Sequence, residues 1–201
     1  IQYLPYKMNT ALHFVERIAK GMAPGFVMTS QVKDMYMELI RYYQGDPDFK
    51  GDLNKGILLM GTTGSGKTLA MKVMDNYRKI DNISYLKNGR RYTMNYDIMT
   101  VHEVVKHFMA GGYDRINPYE NRFILCLDDI GAEVERVKHY GTDVDIIGDL
   151  LTSRCKEGLL TFATTNFPME TLEEKYNDRV VSRMHEMFNF LTIRDQDFRR
   201  N

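Results

Sequence analysis

Neither sign of charge is in excess in this chain: Lys and Arg total 27, and Asp and Glu total 27. The balance gives no argument for a globally basic nucleic-acid binder or a charge-held membrane protein, although a local basic surface stays open. No apolar run approaches the roughly 20 residues needed to span a bilayer, and the start of the sequence has no signal-peptide pattern. The first residue is Ile1 and not Met, so a further segment is expected before it. Cysteine is scarce. The two thiols, Cys126 and Cys155, lack metal-ligand spacing and fall at positions read as core. Free buried thiols fit a reducing cytoplasm. At 201 residues the chain has a one-domain length with ample material for a core. Its 14 methionines read mainly as adaptable core filler.

One stretch carries the chemistry. Gly61-Thr62-Thr63-Gly64-Ser65-Gly66-Lys67-Thr68 matches the pattern G-x-x-x-x-G-K-[ST] without a departure, and its flanks agree. Before it, Ile57-Leu58-Leu59-Met60 reads as a buried strand. After it, Leu69, Ala70, Val73, Met74 and Tyr77 recur as one face of a helix. Glycines in such a loop let backbone N–H groups turn in around a β-phosphate, and the helix N-terminus adds partial positive charge. Lys67 is then the group that reaches the β- and γ-phosphates, and the Thr68 hydroxyl is a ligand for Mg²⁺. The loop predicts nucleoside triphosphate binding.

The rest of the chain alternates strands and helices. Thr10 is expected to cap a first helix that Gly21 ends, and Ser30 a second that the stretch from Gln44 to Asp48 breaks. The phosphate-loop helix is expected to end near Ile80. Tyr85 to Arg91 reads as a basic turn, and Tyr92 to Tyr96 as a strand. Val101, Val104, Val105, Phe108 and Met109 mark a helix closed by Gly111 and Gly112. Phe123 to Leu127 reads as a strand, Thr142 to Cys155 as a capped helix and Leu159 to Thr165 as a further strand. A helix around Val180 to Met184 and a strand from Met187 to Ile193 complete the pattern. Such alternation implies a parallel α/β sheet with ligands at the carboxyl ends of its strands.

Two of those strands end in polar groups. Phe123 to Leu127 runs into Asp128 and Asp129. A carboxylate at a strand tip facing a phosphate loop can hold the Mg²⁺ shell, which is the role assigned to Asp128. Asp129 is placed to orient or deprotonate an attacking water. The strand through Thr165 ends in Asn166, which either contacts that water or the γ-phosphate, or simply opens the Asn166-Phe167-Pro168 turn. Arg179 and Arg183 share one helix face. They are either solvated or available to stabilise phosphoryl-transfer charge across a subunit contact.

These elements in this order resemble AAA+ ATPases, and more narrowly the DnaC/DnaI helicase loaders and the IstB transposition ATPases. The likeness rests on Gly61 to Thr68, Leu127-Asp128-Asp129-Ile130-Gly131, Thr164-Thr165-Asn166-Phe167-Pro168 and Asp178-Arg179-Val180-Val181-Ser182-Arg183-Met184. It covers residues 45–201 well and the leading helices loosely. It implies a three-layer P-loop NTPase with parallel strand order 5-1-4-3-2 and no helical lid domain, residues 1–45 being a helical lead-in and 46–201 the ATPase domain. By resemblance, residues 61–68 bind ATP, Thr68 and Asp128 hold Mg²⁺, and Asp129 is the catalytic acid. Asn166 is then the first sensor and Arg183 the arginine finger, with Arg179 the weaker candidate.

Two departures stand out. Many AAA+ proteins have Glu where this chain has Asp129, and the shorter arm implies slower hydrolysis or a different water position. Loaders also carry an N-terminal helicase-binding module that residues 1–45 do not resemble. The function implied is ATP-dependent loading of a replicative helicase on single-stranded DNA, with self-association through the ATP sites and no membrane partner. In the family, DNA contacts come from the region after the second strand, here 98–121, where Tyr113 and Arg115 offer stacking and phosphate contacts. Lys87, Arg90, Arg91 and Tyr92 form a second basic and aromatic cluster. Each also reads as a solvated loop. An IstB-like regulator of transposition and a small-molecule P-loop kinase are the alternatives. The kinase lacks an Arg-rich lid segment and leaves Asn166 and Arg183 unexplained.

Overall fold

The computed structural model describes residues 8–80, 84–87, 90–133, 137–139 and 141–193. Two helices, α1 (Met8–Met22) and α2 (Ser30–Gln44), lead into β1 (Gly56–Gly61) and α3 (Lys67–Ile80). A hairpin of β2 (Ser84–Lys87) and β3 (Arg90–Thr93) comes next, then β4 (Asp97–Thr100), α4 (Val101–Gly111), α5 (Tyr113–Glu120) and β5 (Ile124–Asp128). A second hairpin, β6 (Val137–His139) with β7 (Thr142–Val144), precedes α6 (Ile146–Lys156) and β8 (Leu160–Thr165). The last described elements are α7 (Met169–Lys175), α8 (Asp178–Met187) and β9 (Phe188–Ile193).

Five strands form one sheet in the order β4-β5-β8-β1-β9, every pair parallel. Counting only these five along the chain, the order is 5-1-4-3-2 read from the β9 edge, as the resemblance implies. Both faces are buried, so the strands are continuous apolar runs whose alternate side chains enter different cores. Ile57, Leu59, Ile124 and Cys126 pack under α1, α2 and α3. Leu58, Met60, Leu125 and Leu127 pack under α4, α6 and α8. The result is three layers. Both cysteines are buried and unbridged, and among the described residues no helix is long and apolar enough to cross a membrane.

Several boundaries differ from expectation for local reasons. Thr10 and Gly21 lie inside α1, and Thr29 caps α2 in place of Ser30, its Oγ1 accepting from Val32 N at 3.3 Å. Gly45 closes α2, its N–H turning back to the carbonyls of the last turn. The strand expected over Tyr92 to Tyr96 ends at Thr93 in β3, residues 94–96 are irregular, and the sheet strand β4 begins only at Asp97. The basic segment read as a turn forms the β2–β3 hairpin, pairing Tyr85 with Tyr92 and Lys87 with Arg90. Asn88 and Gly89 of that turn lie outside the described residues. Thr142 sits in β7, and the α6 cap is Asp145, whose Oδ1 accepts from Gly148 N at 2.9 Å. By contrast, α4 begins with a reciprocal cap: Thr100 N donates to Glu103 Oε2 at 2.8 Å and Glu103 N to Thr100 Oγ1 at 3.1 Å.

A buried arginine ties the far end of the sheet. On α6, Arg154 donates to Thr161 Oγ1 (3.0 Å) and to the carbonyls of Tyr119 (2.6 Å), Arg122 (2.7 Å) and Leu160 (2.9 Å). Burial pushes its guanidinium down to about 10, because the charged form loses water. Arg154→Met fills similar volume but takes the donor from three part-buried carbonyls and from the buried Thr161 hydroxyl. It should cost about 3 kcal/mol, about 10 °C in Tm for a chain of this size, and a thermal melt reads it directly.

Candidate active site

The phosphate loop leaves β1 at the sheet's centre and opens α3, so its N–H groups sit at a helix N-terminus. Gly64 and Gly66 take positive φ, 82° and 88°, where a Cβ would be strained. Lys67 begins the helix with its side chain folded back along the loop. Its Nζ donates to Gly61 O at 2.9 Å, Thr62 O at 2.8 Å and Asn166 Oδ1 at 2.7 Å. The ammonium is nearly buried, and oxygens satisfy its donors.

The strand tips meet this loop from the side. Thr68 Oγ1 lies 2.9 Å from both carboxylate oxygens of Asp128. Thr164, on the neighbouring β8, donates from Oγ1 to Asp128 Oδ1 at 2.6 Å and accepts from Asp129 N at 2.9 Å. One hydroxyl thus fixes both acids against the sheet. Asn166 bridges Lys67 and Asp129: its Oδ1 accepts from the lysine and its Nδ2 donates to Asp129 Oδ1 at 2.8 Å. Asp129 has φ 64°, the sole positive-φ residue other than glycine among the described residues. Asp enters the left-handed region more readily than most residues, yet the conformation is uncommon and must be held by the surrounding bonds.

A cavity of about 480 Å³ opens onto Lys67, Thr68, Asp129 and Asn166. Residues 63–69, Asp129 and Asn166 form its polar end, and Pro24, Phe26, Val27, Val32, Met35 and Tyr36 its apolar end. The first offers N–H groups and a cation to a phosphate chain, and the second an apolar surface to a flat ring. Hard oxygen ligands at Thr68 and Asp128, with few protein donors, suit Mg²⁺, which keeps waters and binds phosphate oxygens. Bound there, it would neutralise phosphate charge.

Arg183 does not line this cavity. It lies on α8, ion-paired with Glu186 at 2.5 Å, and is partly exposed; Arg179 is exposed. The structure therefore brings together Lys67, Thr68, Asp128, Asp129 and Asn166, and keeps both arginines apart from them. Tyr113, read as a DNA-facing aromatic, is 44% exposed on α5, edge-on to Phe108 and donating to Asp149 at 3.2 Å. The side chains of the Lys87 to Tyr92 cluster lie outside the described residues. Sequence reasoning missed the apolar cavity wall, which the α1–α2 connection and the first turns of α2 supply. Ala23-Pro24-Gly25 announces a turn, but no residue in it announces a ligand. It also gave no role to Thr164, which it named only as part of the motif that ends in Asn166-Phe167-Pro168.

No family model matches this sequence, and no curated protein does. Solved structures do. A DnaI structure is 21% identical, with 98% of this chain and 87% of that chain covered and a TM-score of 0.55. A DnaC helicase loader is 22% identical over 83% of this chain and 92% of its own, with a TM-score of 0.57. The chain has the AAA+ fold. AMPPCP-bound DnaA from Aquifex aeolicus shares it as well, at 17% identity over 87% of this chain and 50% of that one, TM-score 0.54. At these identities the likeness is one of fold. Asp128 ends β5, the third strand of this sheet along the chain, Asp129 follows it directly, and Asn166 follows β8, the fourth.

Proposed function

We propose that this protein is a Mg²⁺-dependent ATPase that loads or remodels a replicative helicase on single-stranded DNA, its copies completing one another's nucleotide sites. The observation that carries the reading is the closed chain Lys67–Asn166–Asp129, set beside Thr68–Asp128. The cation and the water-orienting acid line one cavity, and the metal-holding acid is bonded to Thr68 on its wall, in a fold shared with a DnaC helicase loader.

The geometry supports a role for each residue. Loop N–H groups and Lys67 hold the phosphates. Asp129 accepts the proton of the attacking water, with Asn166 fixing the carboxylate in place. Thr164 keeps Asp128 turned toward the metal position. Arg183, away from its own cavity, serves that of a neighbouring copy.

Turnover measured with and without a single-stranded oligonucleotide tests the proposal, alongside transfer of a replicative helicase onto a single-stranded circle. DNA-stimulated hydrolysis and helicase transfer support it. Phosphorylation of a small acceptor, with neither of these, overturns it. The DNA contact has its own check: Tyr113→Ala/Arg115→Ala should weaken oligonucleotide binding several-fold and flatten its dependence on salt. Equal anisotropy titrations for mutant and wild type would return both residues to an ordinary solvated face.

A further inference from the structure

Beyond Asp129 the chain makes a tight turn whose polar groups are held by a buried charged cluster that the reaction scheme leaves unused. Glu133 is only 5% exposed. Its Oε2 accepts from Gly131 N at 2.9 Å, and its Oε1 accepts from the Tyr176 hydroxyl. Lys175 Nζ donates to Gly131 O at 2.6 Å and Glu133 O at 2.7 Å, and lies 3.8 Å from Glu133 Oε1. Both backbone groups of Gly131 are therefore fixed by charged side chains, one from the turn and one from the end of α7. Burial, with the adjacent Glu133 charge, pushes the Tyr176 phenol far above its ordinary range, so it stays a donor.

The turn they hold is a strained one. Asp129 has φ 64° and Gly131 φ 94°. A Cβ on Gly131 would stand 2.8 Å from a Phe167 ring carbon and 2.9 Å from a Leu172 methyl, so α7 presses directly on the turn. Released, Asp129 would relax toward negative φ and leave Asn166 Nδ2. A neutral group would cap Gly131 N as well, and a buried ion cluster is weak support for stability compared with apolar packing. The cost is understandable if the cluster sets a geometry.

We infer that Glu133, with Tyr176 and Lys175, is a positioning residue for catalysis, clamping the turn so that Asp129 keeps the conformation that aims its carboxylate at the attacking water. The inference rests on Asp129 being the catalytic acid, and the test separates the two.

Steady-state ATP turnover, fluorescent-nucleotide affinity and thermal unfolding are measured for Tyr176→Phe, Glu133→Gln, Asp129→Asn and the double variant Tyr176→Phe/Asp129→Asn. Tyr176→Phe and Glu133→Gln should each lower kcat by about 10-fold or more, as a misplacement near 1 Å does, with nucleotide affinity changed less than about two-fold. In the Asp129→Asn background, Tyr176→Phe should lower Tm as before but leave residual turnover unchanged, because the group it acts through is gone. A purely structural cluster would move Tm alone. If Asp129→Asn is impaired while Tyr176→Phe turns over normally, or costs the same in both backgrounds, the clamp is refuted and the acid assignment stands. If Asp129→Asn turns over normally, the acid assignment falls and takes the clamp with it. Should Tyr176→Phe fail to fold, Lys175→Met gives the same comparison through the other arm of the cluster.

Discussion

Arg183→Ala should reduce ATP turnover by about 10³-fold while leaving nucleotide affinity as it was. Affinity is spared because Arg183 does not line the cavity of its own chain; its described partners are Glu186, one turn further along α8, and Cys155 on α6. Turnover is lost because phosphoryl transfer spreads negative charge over the γ-phosphate oxygens, and a guanidinium from outside is well suited to stabilise it. The decisive form of the experiment mixes Arg183→Ala with Lys67→Ala, two inactive proteins. Some interfaces in the mixture pair an intact loop with an intact arginine, and those should hydrolyse ATP, increasingly so as protein concentration rises. No recovery, where the wild type assembles and turns over, would return Arg183 to a surface role.

Lys67→Ala should lower nucleotide affinity on the order of 10²-fold, since charge-assisted hydrogen bonds to phosphate are among the strong ones. The substitution also releases Gly61 O, Thr62 O and Asn166 Oδ1 from their shared donor. Asn166 would keep its bond to Asp129, so the acid should remain in place while the phosphates lose their cation. Fluorescent-nucleotide titration measures the loss, with a thermal melt to check that the chain is folded. Affinity equal to wild type would remove the phosphate-binding assignment from this loop.

Much of the site was legible because its chemistry is local. Gly61 to Thr68 is contiguous, and Asp128, Asp129 and Asn166 each end an apolar run that the eye can find. Strand order came from resemblance, since parallel pairing such as Leu58 with Ala163 leaves no trace in periodicity. The hairpins were hidden because three- and four-residue strands depend on their partners more than on their own pattern. Asp145 displaced Thr142 as the cap because the apolar helical face begins only at Ile146. The short α7 buries Leu172 alone, too little to give a period. Glu133, Lys175 and Tyr176 meet only through the fold, as do the phosphate loop and the α1–α2 wall.

The position of β1 has a consequence for how the protein is made. Its hydrogen-bonding neighbours are β8 and β9, with Gly56 paired to Phe188 and Leu58 to Ala163. A ribosome therefore releases the phosphate loop long before either strand that flanks it. Until more than half the chain has followed, β1 is an apolar segment with two open edges, exposed to wrong pairing and in need of shelter. Contacts this distant in sequence also make for slow folding. A nascent chain cut short before β8 should bind no nucleotide, so ATP capture reports completion of the sheet.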